Sequence, residues 1–290
     1  MVLAAGFGTR LRPLTDTCAK ALMPVGDRPV LTHVLDQLAS VGIRRIAVNA
    51  HHRADDVRAL LRRRGDGVEM SEEKELLGTA GGLARAAAIL GEGDVLVWNA
   101  DVLAEIDLRK LVDSRSTAHA EATLVIQKQP RGQGPVGIDE QGRIVRLRAQ
   151  RSGPEVWGGE FVGISVVGAA LRARLPERGC LVGDVWIQAL RAGATLRAFL
   201  SEAPWRDIGT LESYLSANLA WLDARQLRHW TGPGARVPAD VQLDQSIVGA
   251  GASAVGSGRL ARCVLWPGAR ASAPLAAAIV DGNRVVKVEC

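Results

Sequence analysis

The chain opens with a short apolar run, Val2-Leu3-Ala4-Ala5, that stops abruptly at Gly6-Phe7-Gly8. Thr9, Arg10 and Arg12 follow at once, and Lys20 lies a little further on. A buried strand that runs straight into a glycine loop leaves few options for a fold. Glycine has no Cβ, so backbone N–H groups in such a loop can close on an anion. Arginine adds a permanent, forked positive charge suited to phosphate oxygens. The segment predicts a strand over residues 2–5 ending in a cradle for nucleotide phosphates. Two familiar phosphate loops are excluded by spacing. Residue 11 is Leu where a dinucleotide fingerprint needs its third glycine, and no Gly-Lys-Ser/Thr follows at the P-loop distance.

The pattern downstream alternates. Val30 to Val41 carries a helical stripe of Leu31, Val34, Leu35, Leu38 and Val41, closed by Gly42. Ile43–Ala50 reads as a strand, Ala54–Arg64 as a helix, Ala80–Leu90 as an Ala-rich helix and Val95–Trp98 as a second buried strand. This order predicts an α/β fold with a doubly wound, mainly parallel mixed sheet. Ligands of such sheets sit beyond the C-terminal strand ends, where Gly6–Arg12 and Asn99–Asp101 both fall. Strands are expected at Ala122–Gln127, Val136–Asp139, Ile144–Arg148 and Phe161–Val167, then helices at Val185–Arg191 and Leu211–Arg228. The catalytic domain is expected over residues 1–230. From 231 to 290 short apolar steps, such as Ile247-Val248 and Val264-Leu265-Trp266, are separated by Gly, Ala and Ser. They predict a short, degenerate left-handed β-helix-like region.

Composition narrows the class. With 290 residues, 47% apolar and 23% charged, the chain can bury a sizeable core without disulfides or a structural metal. Cys18, Cys180, Cys263 and Cys290 show no paired or metal spacing and read as thiols of a reducing cytoplasm. Met1 leads directly into the first strand with no signal-peptide layout, and no apolar stretch is long enough for a membrane span. The net charge of +5 comes mostly from arginine, with one dense cluster at Arg62–Arg64. That cluster ends a helical pattern, where cations suit the helix C-terminus. One Tyr and three Phe make a base-stacking platform unpromising, so no nucleic-acid partner is expected. His51 and His52 are adjacent on an extended segment, so they face opposite ways and cannot readily share one ion.

Three further constellations carry chemistry. Trp98-Asn99-Ala100-Asp101 ends a buried strand in a carboxylate, which suits a hard divalent cation; the helix-capping role nearby falls to Asp107. Trp205-Arg206-Asp207-Ile208-Gly209-Thr210 precedes an amphipathic helix and also reads as an N-cap turn. Glu75-Leu76-Leu77-Gly78-Thr79-Ala80-Gly81-Gly82-Leu83 is a glycine-rich turn that opens a helix, where backbone amides and carbonyls can approach a flat base.

Together with Leu-Ala-Ala-Gly-x-Gly-Thr-Arg-Leu-x-Pro-Leu-Thr and Lys20, these strings resemble the sugar-1-phosphate nucleotidyltransferases, in the guanylyltransferase and uridylyltransferase branch. The resemblance implies a Rossmann-like nucleotidyltransferase core and a Mg²⁺-dependent reaction of an NTP with a sugar 1-phosphate, giving an NDP-sugar and pyrophosphate. It implies catalytic roles for Arg10, Lys20, Asp101 and Asp207, the two aspartates holding Mg²⁺. It places the nucleotide against Leu3, Ala4, Ala5, Gly6, Gly8, Thr9, Glu75, Gly78, Thr79 and Ala80, and the sugar against Asn99, Gly134 and Gly163. It also implies a homo-oligomer formed through the C-terminal region.

The chain departs from that family in places. Ala19-Lys20 stands for Pro-Lys, and Ala100 for a glycine. The family's Glu-Lys-Pro, whose lysine holds the sugar phosphate, is missing; Arg146-Leu147-Arg148-Ala149-Gln150-Arg151 stands there, so either an arginine substitutes or the sugar is gripped differently. Leu-Gly-Thr-Ala-Gly favours GTP with mannose 1-phosphate. UTP with N-acetylmuramate 1-phosphate or another amino-sugar phosphate, dTTP with glucose 1-phosphate, and a non-catalytic nucleotide-sugar-binding regulatory paralogue are the alternatives.

Overall fold

The computed structural model describes residues 1–118 and 120–289, so the reading of the Cys290 thiol lies outside the described residues. Contacts group the chain into two units, Met1–Gly6 with Val34–Trp205, and Phe7–His33 with Arg206–Cys290. The expected division at residue 230 therefore differs from the grouping, which joins 7–33 and 206–230 to the C-terminal strands.

The first unit is built on a ten-stranded mixed sheet. Val2–Leu3 lies between Ala47–Ala50 and Val95–Asn99 and runs parallel to both, while Ala47–Ala50 pairs in parallel with Glu69–Glu72. All four of these strands therefore end at one edge. Beyond them, Trp157–Val167 pairs antiparallel with Val95–Asn99, Ala122–Gln129 and Val136–Ile138. Leu196–Ser201 adds a parallel strand beside Ala122–Gln129. The helix Ala54–Arg64 has the predicted bounds. Val57, Leu60 and Leu61 bury its apolar stripe, Asp55 and Asp56 occupy its first turn, and Gly65 ends it at φ 66°. Arg64 forms ion pairs with Asp36 at 2.9 Å and Asp66 at 2.6 Å, so part of the basic cluster is matched by local acid.

Several boundaries move. The strand expected from Ile43 begins at Ala47, because Arg44 and Arg45 are exposed and the chain enters the core only at Ile46. The Ala80–Leu90 helix is instead Gly78–Arg85 and Ala87–Leu90, broken where Ala86 leaves helical geometry at ψ 3°. The last helix stops at Asp223 rather than Arg228. Glu69–Glu72 and Leu196–Ser201 carry no expectation from sequence. Of Glu69–Glu72 only Ser71 is buried, so that strand shows no apolar alternation to read.

Within the sheet, the buried Arg146 guanidinium is fully engaged. Its Nε donates to Glu155 Oε2 at 2.6 Å, its Nη1 to the Gly134 carbonyl at 2.9 Å and its Nη2 to the Val136 carbonyl at 3.2 Å.

The second unit carries coils of parallel strands. His229 pairs with Ser246, Ile247 with Val264, Val241 with Gly258 and Ser253 with Arg270, each seventeen positions on. From Leu260 the offset shortens, Leu260 pairing with Leu275 and Val264 with Ile279. The β-helix-like expectation holds, with turns near but not at the eighteen residues that three six-residue repeats would give. Helix Leu211–Asp223 belongs to the same unit. Tyr214 on that helix is fully buried; its hydroxyl donates to the Pro24 carbonyl and accepts from Trp266 Nε1 at 2.8 Å. Asn218, one turn on, accepts the Gly26 N–H at 3.0 Å.

Tyr214→Phe removes one hydroxyl and leaves both partners unpaired. It is expected to cost about 1–3 kcal/mol, read as a lower urea midpoint with an unchanged slope. A second expectation concerns pH. The Arg146 hydrogen bond holds the Glu155 carboxyl below its ordinary range, against an opposing desolvation. The carboxylate's contribution is therefore full above its unfolded pKa and is lost as pH falls through the lower folded value. Glu155→Gln should flatten the acid limb of the wild-type curve of stability against pH; an unchanged limb would remove Glu155 from its causes.

Candidate active site

The parallel strands of the first unit release their loops at one edge. There the Ala100 N–H donates to the Leu3 carbonyl at 2.9 Å, and the Trp98 indole N–H to the Val102 carbonyl at 3.0 Å. These bonds close a tight turn on the end of Val95–Asn99, and Asp101, half-buried, stands in that turn. Asp107 makes the expected cap, accepting the Lys110 N–H at 3.1 Å. Leu3, Ala4, Ala5 and Gly6 leave the neighbouring strand, with Ala4 and Ala5 buried and Gly6 exposed.

Asn99 and Gly163 lie together. Gly163 has φ 90°, and a Cβ there would stand 2.9 Å from Asn99 Nδ2 and 3.0 Å from Val102 Cγ2. Pairing between Trp157–Val167 and Ala122–Gln129 is irregular from Phe161 to Ser165, so the glycine sits in a bulge. Gly134 has φ 67° and passes so close to the Gly159 carbonyl that a Cβ would lie 2.3 Å away. Its own carbonyl is held by Arg146. Of the three arginines in the segment that stands for the missing lysine, Arg146 is thus buried and committed, and Arg151 is exposed and pairs with Glu155 Oε1 at 3.7 Å. Arg148 is exposed, at φ 54°, and its N–H donates to the Pro135 carbonyl at 2.6 Å.

The glycine-rich segment is anchored as much as it is open. Gly78 has φ 76° and meets the Gly179 carbonyl, which also accepts the Ala80 N–H at 2.9 Å. The Thr79 hydroxyl accepts the Leu181 N–H at 2.7 Å, and Ala80 is completely buried. Glu75 is exposed and ion-paired with Arg178.

Sequence reasoning missed two buried polar residues here. Asn49 and Glu73 are each 2% exposed. The Ala4 N–H donates to Asn49 Oδ1 at 2.7 Å, Asn49 Nδ2 to Glu73 Oε1 at 2.6 Å and the Leu77 N–H to Glu73 Oε2 at 3.0 Å. A lone Asn near the end of an apolar strand was the available signal. His51 directs Nδ1 to the Glu73 carbonyl at 2.9 Å.

In the second unit Gly8 takes φ 63°, and a Cβ there would meet Thr15 Cγ2 at 2.9 Å and Lys20 Cβ at 3.2 Å. The Gly8 carbonyl accepts the Thr15 hydroxyl at 2.9 Å and the Leu11 N–H at 2.9 Å. Thr9–Leu11 is a single tight turn that leaves Thr9 and Arg10 exposed while Leu11 is buried. Arg10 reaches Gly209: a Cβ on that glycine would lie 2.9 Å from Arg10 Nη2 and 2.8 and 3.0 Å from the two Asp207 carboxylate oxygens. Gly209 thus lets Arg10 and Asp207 converge from opposite ends of the sequence. Asp207 Oδ1 accepts the Gly209 N–H at 2.6 Å, while Oδ2 has no hydrogen bond among the described residues. The cap reading holds as well, for the Thr210 hydroxyl accepts the Ser213 N–H at 3.2 Å and Ser213 Oγ accepts the Thr210 N–H.

Among the described residues no three His, Cys, Asp or Glu side chains gather as a metal cage. Asp101 and Asp207 are hard oxygen donors, which fit an ion held by one or two carboxylates with phosphate oxygens and water. Among the described residues no helix is long and apolar enough to cross a membrane.

The nucleotidyl transferase family matches residues 1–224. Mannose-1-phosphate guanylyltransferase of Mycobacterium tuberculosis is 31% identical over 94% of this chain and 81% of its own length. Mannose-1-phosphate guanyltransferase of Aspergillus fumigatus is 29% identical over 79% of the chain, which spans 65% of it. HddC from Yersinia pseudotuberculosis, solved in complex with GMP-PN, superposes with a TM-score of 0.64 at 21% identity, over 76% of this chain and 97% of that one. A putative glucose-1-phosphate thymidylyltransferase from Bacillus anthracis gives 0.62 at 22% identity, over 76% and 93%. With its first 224 residues matched and its guanylyltransferase relatives, the chain belongs to the nucleotidyl transferase family, among the sugar-1-phosphate nucleotidyltransferases.

Proposed function

We propose that the chain transfers GMP from GTP to mannose 1-phosphate or a closely similar sugar phosphate. Identity to the mycobacterial guanylyltransferase over 94% of the chain is the observation that carries this reading. The Leu77-Gly78-Thr79-Ala80-Gly81 segment supports the same branch.

In this reaction a sugar phosphate oxygen attacks the α-phosphorus of the NTP. The new O–P bond forms as the bond to the bridging oxygen breaks, and the electron pair leaves with pyrophosphate. Such a displacement needs positioning and charge neutralisation more than proton transfer. Arg10, exposed on its turn, would hold the β- and γ-phosphates and stabilise charge building on the leaving group. Lys20, placed against Gly8, would bind the α-phosphate or the sugar phosphate. Asp101 and Asp207 would hold Mg²⁺, which supplies charge neutralisation to the triphosphate when bound. The bulge at Gly163 beside Asn99, and the loop at Gly134, would receive the sugar. Arg148, exposed where Arg146 and Arg151 both pair with Glu155, would take the place of the lysine that the chain lacks. Oligomerisation through the coils and a cytoplasmic setting belong to the same proposal.

A matrix of four NTPs against mannose, glucose and N-acetylmuramate 1-phosphates, read as released pyrophosphate, tests the assignment. The highest kcat/KM is expected for GTP with mannose 1-phosphate; preference for UTP with the amino-sugar phosphate would overturn the base and the sugar. Nucleotide binding without turnover of any pair would instead mark a regulatory paralogue. Lys20→Ala and Asp207→Asn are each expected to lower kcat by about 100-fold or more, as loss of one preorganised electrostatic contact does elsewhere. Turnover within a few-fold of wild type in either variant would remove that residue from the chemistry.

A further inference from the structure

Glu73 is a buried carboxylate for which the transfer reaction has no use. Its two oxygens accept from neutral donors, Asn49 Nδ2 at 2.6 Å and the Leu77 N–H at 3.0 Å, and no cation pairs with it among the described residues. An anion withdrawn from water without a counter-charge is costly to keep, so its retention asks for a reason. The contacts supply one. Asn49 Oδ1 accepts from Ala4, where the first strand gives way to the cradle, at 2.7 Å. Leu77 is the residue before Gly78, where the helix of the glycine-rich segment begins. Ala4, Asn49, Glu73 and Leu77 therefore form one hydrogen-bonded line from the cradle's root to the start of the base-contacting segment. That helix leaves room for the line at Gly82, where a Cβ would stand 2.6 Å from Asn49 Nδ2 and 2.7 Å from Glu73 Oε1.

We infer that Asn49 and Glu73 are positioning residues that set the spacing between Leu3–Gly6 and Glu75–Ala80, and through it the affinity for the nucleotide. The inference rests on the proposed assignment of those two segments to the NTP. A carboxylate is an acceptor at both oxygens, which this line requires: one for the Asn49 amide, one for the Leu77 N–H. Glu73→Gln keeps the volume but turns one oxygen into a donor that faces another donor. Asn49→Asp keeps the bond from Ala4 but sets two carboxylates against each other. The double variant N49D/E73Q restores every bond with its direction reversed in the middle. The new carboxylate accepts from Ala4 and from the new amide, whose oxygen accepts from Leu77.

The test measures KM for each substrate, kcat and Tm in the two single variants and the double. Each single variant is expected to raise KM for the NTP about tenfold, the scale of one lost charge-assisted hydrogen bond, and to leave KM for the sugar 1-phosphate within twofold. The double is expected to return KM for the NTP to within about threefold of wild type. Single variants that lower Tm but leave KM for the NTP unchanged, or that raise both KM values alike, overturn the inference. So does a double variant no better than the singles. If the singles do not fold, the double alone decides, since the inference requires it to fold and to bind NTP near the wild-type level. A wild-type chain that turns over no substrate pair would count against the proposed function instead; calorimetric NTP affinities of the same variants would then judge the line.

Discussion

The shared loop edge of the first unit depends on the parallel pairing of a two-residue strand. Val2–Leu3 is bonded on both sides, to Ala47–Ala50 and to Val95–Asn99. Parallel strands send their loops to the same edge, so the exits at Ala4, His51 and Asp101 are neighbours by construction. Glu69–Glu72 joins in the same sense and brings Glu73 and the glycine-rich segment to that edge. Loops far apart in sequence thus share one edge of the sheet, and the parallel pairing supplies their proximity.

Glycine has the corresponding part at short range. Gly209 leaves the space in which Arg10 and Asp207 approach one another, and Gly163 leaves the space that Asn99 occupies. In both places a methyl group would stand closer than van der Waals contact to the polar group itself.

Much of this was legible in the chain. The alternation of buried strands and amphipathic helices marked the sheet, and the helix Ala54–Arg64 could be read residue for residue because stripe, acidic start, basic end and closing glycine agreed. The Asp207 turn and its cap were legible together, since Thr210 and Asp207 do different work on the same loop. What escaped notice lacked a local pattern. Glu69–Glu72 hides as a strand because it lies at the sheet edge with only Ser71 buried, so its side chains show no apolar alternation. The Asn49–Glu73 line is polar, buried and joined across twenty-four positions, which no periodicity reports. The fates of Arg146 and Arg148 were equally hidden: Arg146 stands on the strand Ile144–Leu147 and meets the buried Glu155, whereas Arg148 lies past the strand end at φ 54°.

The Tyr214 hydroxyl joins three parts of the second unit at one atom: the segment at Pro24, the helix after Asp207 and Trp266, which follows the coil strand Ser253–Leu265. This bears on how such proteins recombine. A coil that only packed against its catalytic partner could be exchanged for another of similar shape. Here an incoming coil must also bring a donor to a buried phenol, or the hydroxyl that holds Pro24 is left without its second partner. The C-terminal repeats are therefore poor currency for domain shuffling, and chimaeras should be cut within the coils rather than ahead of them.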